Sequence, residues 1–154
     1  MPQSWTEAEL AYFAGIIDGE GCLSMSCGLR RRDSDPESVA LTASAQLYIG
    51  NTNYELIHWI ANRFPGSVKI RAAQKSTHKP LWRWLCSGVN LGVLLTAVLP
   101  YLVIKREQAK LILELRSTLG RSGTNQTERV SDDVKARRAQ IKVRMLELNK
   151  RGIA

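Results

Sequence analysis

Phe13-Ala14-Gly15-Ile16-Ile17-Asp18-Gly19-Glu20-Gly21 is the stretch on which the reading of this chain turns. It begins inside a helix. Ser4 with Glu7, or Thr6 with Glu9, has the spacing of a capping box, and Leu10, Phe13 and Ile17 make one apolar stripe. The helix is expected to end near Asp18-Gly19. Gly15 and Gly19 are out of place in it, since each costs about 1 kcal/mol relative to Ala in a helix interior. With Ala8 and Ala11 they form a second stripe, opposite the apolar one, at spacings of three and four. A strip of small residues lets another backbone approach closely. No other segment is an obvious second copy of this helix. The expected partner is therefore the same helix of a second subunit across a two-fold axis, with Ala11, Gly15 and Gly19 at the contact. Close packing on the chain's own sheet is the alternative.

Beyond Gly21 the period changes from helical to alternating. Leu23, Met25 and Cys27 alternate with Cys22, Ser24 and Ser26, and the run continues through Leu29-Arg30-Arg31-Arg32 into a polar turn at Asp33-Ser34-Asp35-Pro36. A second strand follows, with Leu41, Ala43, Ala45, Leu47 and Ile49 on one face and Thr42, Ser44, Gln46 and Tyr48 on the other. Thr52 and Glu55 have capping spacing ahead of a helix that carries Leu56, Ile57, Ile60 and Phe64 inward and stops at Pro65-Gly66. Two more strands are expected over 67–75 and 80–87, the second with Trp82 and Trp84 on its core side. A short helix covers about 90–99, a longer one runs to Leu119, and Val134, Ile141, Met145 and Leu148 mark a last helix. The order predicts an α+β fold, an αββαββα core with an antiparallel sheet and an additional C-terminal helix. The core spans about 4–119 and the helical tail about 126–151 of a single domain.

Charge limits the partners. The net charge is +8 over 154 residues, and residues 101–154 hold thirteen Lys and Arg against six Asp and Glu. Between Glu55 and Glu107 there is no acid, while Arg63, Lys69, Arg71, Lys75, Lys79, Arg83, Lys105 and Arg106 all fall there. So long a field of one sign suits a polyanion. A membrane is not expected, since no apolar run reaches the ~18 residues a span needs. Three cysteines without close pairing read as free thiols, and the start shows no secretory pattern. The expected setting is the cytoplasm or an organellar matrix, and no small-molecule substrate is expected. Alternation puts Ser26, Arg30, Arg32, Thr42, Ser44, Gln46, Lys69, Arg71 and Arg83 on one basic face. A β-ribbon can enter the major groove of double-stranded DNA, where arginines read guanine edges and Gln46 an adenine.

A two-fold axis along the first helix brings two Asp18-Gly19-Glu20 ends together. Facing carboxylates repel unless a cation or proton lies between them, and hard oxygen ligands suit Mg2+, or Mn2+. That is the chemistry of metal-assisted phosphodiester hydrolysis. Phe13–Gly21 closely resembles the nine-residue signature of the LAGLIDADG homing endonucleases, matching it at Ala14, Gly15, Ile17, Asp18 and Gly21 and conservatively at the other positions. Pro100–Lys110 is similar to the lysine-bearing stretch that precedes a late helix in that family.

The resemblance implies a homodimeric, single-motif, site-specific double-strand DNA endonuclease of the kind encoded in introns or inteins. It implies that Glu20 binds the catalytic metal with the Gly19 carbonyl as a further ligand, and that Lys105 acts beside the scissile phosphates. Asp18 is expected to be structural. Family members often carry a water-positioning glutamine at the end of the second strand. Here Gly50 falls there by spacing, so that role is unassigned, with Asn51 as a substitute. A non-cleaving DNA-binding regulator and an RNA maturase on the same fold are the alternative readings.

Overall fold

Thr6, rather than Ser4, caps the first helix. Its hydroxyl accepts the Glu9 N–H at 3.2 Å, and the Glu9 carboxylate accepts the Thr6 N–H at 2.9 Å, which satisfies two backbone donors reciprocally. This computed structural model describes residues 4–32, 35–73, 75–119 and 131–150, the side chains of 29–42 excepted. Helix α1 (Glu7–Glu20) leads into strands β1 (Gly21–Arg32) and β2 (Asp35–Asn51) and helix α2 (Tyr54–Arg63). Strands β3 (Ser67–Arg71) and β4 (Leu81–Ser87) follow, then helices α3 (Gly88–Val98), α4 (Arg106–Ser117) and α5 (Asp132–Asn149), with a 3-10 turn at Leu99–Tyr101. The strands form one antiparallel sheet in the order β1-β2-β4-β3. The α+β order expected from the sequence is the order found.

One face of the sheet is buried beneath the helices. Leu23, Ala43, Leu47, Ile49, Trp84 and Cys86 lie on it, covered by Phe13 and Ile17 of α1, Ile57 and Ile60 of α2, Leu91 and Leu95 of α3, and Ile112 of α4. Phe13 stacks on Phe64 with ring centres 4.0 Å apart and meets Trp84 edge-on at 5.6 Å, so the apolar stripe of α1 is the centre of the core. A smaller core of Ala43, Leu115 and Ile141 fixes α5 under the β1–β2 hairpin. Two α5 side chains also bond carbonyls of β1, an edge strand: Lys142 Nζ to Cys27 at 3.3 Å and Asn149 Nδ2 to Leu23 at 3.2 Å. Within α5, Arg138 is 3% exposed and donates to the Thr118 hydroxyl and carbonyl at 2.9 and 2.7 Å.

Several boundaries differ from the sequence expectation, each for a local reason. Asp35 and Pro36 belong to β2, not to the turn. Arg32 pairs with Asp35 but Arg31 pairs with Val39, so Pro36 sits in the register shift, where no ladder N–H is demanded. The third strand stops at Arg71 instead of reaching Lys75. Arg71 pairs with Leu81, and the next partner along β4 would be Pro80, which has no N–H to give. Asn53 rather than Thr52 caps α2, its side-chain oxygen accepting the Leu56 N–H at 3.2 Å. Helix α3 starts at Gly88, two residues early, because Gly88 at φ +65° turns the chain directly out of β4. Trp82 is half-buried rather than core, and Val68 and Ile70 are 40% and 58% exposed. All three belong to the edge of the sheet where β3 pairs with β4 alone. The start of the expected tail, residues 126–130, lies outside the described residues.

Candidate active site and nucleic-acid interface

The C-terminal end of α1 is fastened to the segment before α4 by one acid and one base. The Asp18 carboxylate accepts the Val103 N–H at 2.8 Å and the Lys105 N–H at 2.9 Å. In return the Lys105 ammonium donates to the Ile17 carbonyl at 2.8 Å and the Asp18 carbonyl at 2.6 Å. Helix α1 has no basic residue in its own last turn. Lys105 supplies, from 85 or more residues away in the chain, the positive charge that the negative end of a helix dipole favours. Burial pushes the Asp18 pKa up, but the backbone donors of Val103, Lys105 and Ile104 and the Lys105 charge outweigh it, so the carboxyl lies below its ordinary range. Burial also lowers the Lys105 pKa, a shift that the charges of Asp18, Cys22 and Glu20 oppose without cancelling. Asp18 is therefore structural, as its place in the sequence indicates.

Glu20 is left exposed, with Gly19 beside it. The strand begins immediately after. A Cβ on Gly21 would lie 2.7 Å from the Ile17 carbonyl oxygen, so only glycine fits where α1 becomes β1. Gly15 and Gly19 are different: a Cβ at either would meet nothing within 4 Å. Ala8, Ala11, Gly15 and Gly19 all face outward. The alternative of packing on the chain's own sheet is thereby removed.

As a ligand set, one chain offers a single free carboxylate and nearby carbonyl oxygens. Among the described residues no group of three or more His, Cys, Asp and Glu is placed to hold an ion. The donors are hard oxygens of the kind Mg2+ takes, and they fit a site that a second subunit, water and phosphate complete. His58 stacks near Tyr54 and contacts Asn62, and takes no part.

The outer face of the sheet holds the alternating positions expected from the sequence. Lys69 pairs with Arg83 and Arg83 with Gly50; Ser87 pairs with Gln46 and Gln46 with Ser24; Ser44 pairs with Ser26. Ser26, Ser44, Gln46, Lys69, Arg71 and Arg83 are all exposed, and the Ser26 and Ser44 hydroxyls bond each other at 2.8 Å. The backbones of Arg30 and Thr42 continue the same alternation, with Arg32 beyond the register shift; their side chains lie outside the described residues. Arg106 is not on this face. Its guanidinium donates to the Leu102 and Pro100 carbonyls at 2.9 and 3.2 Å. Asn51 does not face a substrate freely either, since its side-chain oxygen accepts the Asn53 N–H at 2.8 Å.

Sequence reasoning missed two features. One is the Asp18–Lys105 lock, which joins segments too distant for any local pattern to report. The other is Arg83, placed by alternation as a base reader, which leans sideways with its guanidinium carbon 5.9 Å from the centre of the Tyr48 ring. No described helix is long and apolar enough to cross a membrane.

No protein-family model and no curated protein matches this chain. Solved structures do. The homing endonuclease I-CvuI, in complex with the I-CreI target in 2 mM Mg with its DNA not cleaved, is 20% identical at a TM-score of 0.68, over 96% of this chain and 86% of that one. The archaeal intron-encoded homing endonuclease I-Vdi141I, complexed with DNA, is 16% identical at 0.68, over 95% and 87%. The LAGLIDADG homing endonuclease I-LtrWI, bound to target DNA, is 16% identical at 0.58, over 92% of this chain and 45% of its own longer one. At such identities the likeness is one of fold.

Proposed function

We propose that this chain, which has the fold of the LAGLIDADG homing endonucleases, is a site-specific, metal-dependent double-strand DNA endonuclease that works as a homodimer paired through α1. One observation carries the reading. Asp18 and Lys105 are used up in locking the end of α1, while Glu20 is left as a free carboxylate at the border of an exposed basic sheet face. A purely structural helix end has no use for an unpaired acid beside a surface suited to a polyanion.

Ala11, Gly15 and Gly19 form the contact between the two α1 helices, and each subunit brings its Glu20 and Gly19 carbonyl to the axis. Mg2+ or Mn2+ held there polarises the phosphate and lowers the pKa of a bound water. The chain's own residues do the rest. Lys105, drawn tight against two carbonyls, keeps the α1 end rigid and adds positive field beside the phosphates. The outer face, with Ser26, Arg30, Arg32, Thr42, Ser44, Gln46, Lys69, Arg71 and Arg83, lies along the major groove. A strand rise of about 3.3 Å per residue keeps pace with a base-pair step of about 3.4 Å. The whole is one domain, with α5 bracing the hairpin from beneath.

The test is cleavage of a randomised DNA library in Mg2+ by the protein and by Glu20→Gln. Site-specific cutting by the first, with binding but no cutting by the second, is expected. Equal binding and no cutting by either at a confirmed site identifies a non-cleaving regulator, and preference for structured RNA over duplex DNA identifies a maturase.

A further inference from the structure

The polar side chains around Glu20 are nearly all committed. Asp18 accepts two backbone N–H groups, the Lys105 ammonium is shared between two carbonyls, and Asn51 accepts the Asn53 N–H. Gln46 is too far along β2, since four residues at about 3.3 Å each separate it from Gly50. Gly50 lies one step past the Gly21–Ile49 pair, where β1 gives way to α1, and has no side chain. Something fills the space it leaves. Arg83 pairs with Gly50, with its Cγ 3.9 Å from where a Gly50 Cβ would stand, and its guanidinium reaches over Tyr48.

Tyr48 is the next outward position on β2, half-buried, paired with Cys22 of β1 two residues after Glu20. Its hydroxyl is hydrogen-bonded to the Cys22 thiol, and Cys22 is close enough to Lys105 for their charges to interact. Lys105, Cys22, Tyr48 and Arg83 thus form a continuous line along the border of the Glu20 site.

We infer that Tyr48 positions the attacking water at the scissile phosphate, with Cys22 fixing its hydroxyl and Arg83 holding its ring. In the hydrolysis the water oxygen bonds to phosphorus while the bond from phosphorus to one sugar oxygen breaks. That oxygen leaves with one proton, and the other is released from the new phosphate to solvent. Tyr48 contributes position and no proton. The hydrogen bond to Cys22, with burial, raises its pKa above the ordinary phenol value against the pull of Arg83, so it remains a neutral donor.

This inference rests on the endonuclease reading, so the test begins at a site that the wild-type protein cuts and Glu20→Gln leaves intact. Tyr48→Phe keeps the ring beneath Arg83 and removes only the hydroxyl. Its single-turnover cleavage should fall about tenfold to a hundredfold, with the Kd for the same duplex in Ca2+ changed by less than about threefold. A merely structural role would lower binding and rate together. A smaller fall in rate, or a fall that only tracks lost binding, overturns the inference and leaves the endonuclease reading standing. A wild-type protein that cuts no DNA removes both. If Tyr48→Phe does not fold, Cys22→Ala, which frees the hydroxyl from its partner, is expected to show the same split between rate and Kd, and its absence is equally decisive.

Discussion

Gly15→Ala separates a paired α1 from a solvent-exposed one by the sign of its effect. Within the single chain a Cβ at position 15 meets nothing within 4 Å, so the substitution brings no clash. A helical Gly replaced by Ala gains about 0.5–1 kcal/mol, because Gly loses more backbone freedom on folding. If α1 faced water, Gly15→Ala would therefore raise Tm by about 2–4 °C in a domain of this size. If two α1 helices cross at their small residues, each new methyl meets the partner's backbone, and overpacking of this kind costs about 1–3 kcal/mol at each contact. Two contacts at a two-fold axis outweigh the helix gain. The expected outcome is a weaker dimer, with sedimentation velocity showing monomer at micromolar concentrations where the parent is dimeric. Tm should then be lower for the variant and should rise with protein concentration. A variant that melts higher than its parent, at the same temperature whatever the concentration, would refute the pairing. Gly21→Ala is the control: its Cβ would lie 2.7 Å from the Ile17 oxygen in the same chain, so it loses stability whether or not a dimer forms.

Other expected outcomes follow from the lock behind Glu20 and from the buried thiol. Asp18→Asn loses a charged acceptor for two backbone donors, which should cost about 1–3 kcal/mol in urea unfolding, with part exposure trimming the value. Because the folded Asp18 pKa is depressed, its contribution is fully present above the unfolded carboxyl range and is lost as pH falls through the folded value. The parent's stability should therefore drop more steeply than the variant's below about pH 4, and parallel pH profiles would refute the assignment. Cys86 is buried and its thiol is pushed up to about 11, by burial against the opposing charge of Arg116. A thiol reagent at pH 8 should leave Cys86 unlabelled until denaturant is added, with peptide mass mapping as the readout.

How much of this was legible in the sequence depended on how local each signal was. Alternation along residues 22–28 and 42–49 and helical spacing at Phe13 and Ile17 fixed faces correctly, because burial on one side of an element leaves a period. Strand ends were less readable, since they were decided by partners: Arg71 is last in β3 because Pro80 stands opposite the next position. Asp18 could be read as structural from its place at a helix end, but what it holds could not. Val103 and Lys105 come to it only when α3 and the 3-10 turn have folded back beside α1. Tyr48 was visible as an outward residue and nothing more. Its interest arises from Gly50 being empty and Arg83 lying across, a relation between two strands that no single run of sequence contains.

The three glycines of Phe13–Gly21 divide the motif's work between fold and function. Gly21 is demanded by the chain itself, since any side chain there would strike the helix it terminates. Gly15 and Gly19 are demanded by nothing inside the chain, and each weakens α1 by about 1 kcal/mol. The acids divide the same way: Asp18 is fully engaged in the fold and Glu20 is not. Residues that the fold uses and residues that it leaves spare therefore alternate along one helix end. The spare ones, Gly15, Gly19 and Glu20, share a direction away from the chain's own core. A single chain is thus complete as a fold and incomplete as a site, with one carboxylate where a divalent ion needs several oxygens. Pairing through α1 would resolve both deficits at once, since the contact that gives the glycines a purpose also brings a second Glu20. Breaking the pair should then abolish cutting while each subunit keeps its folded, DNA-facing sheet.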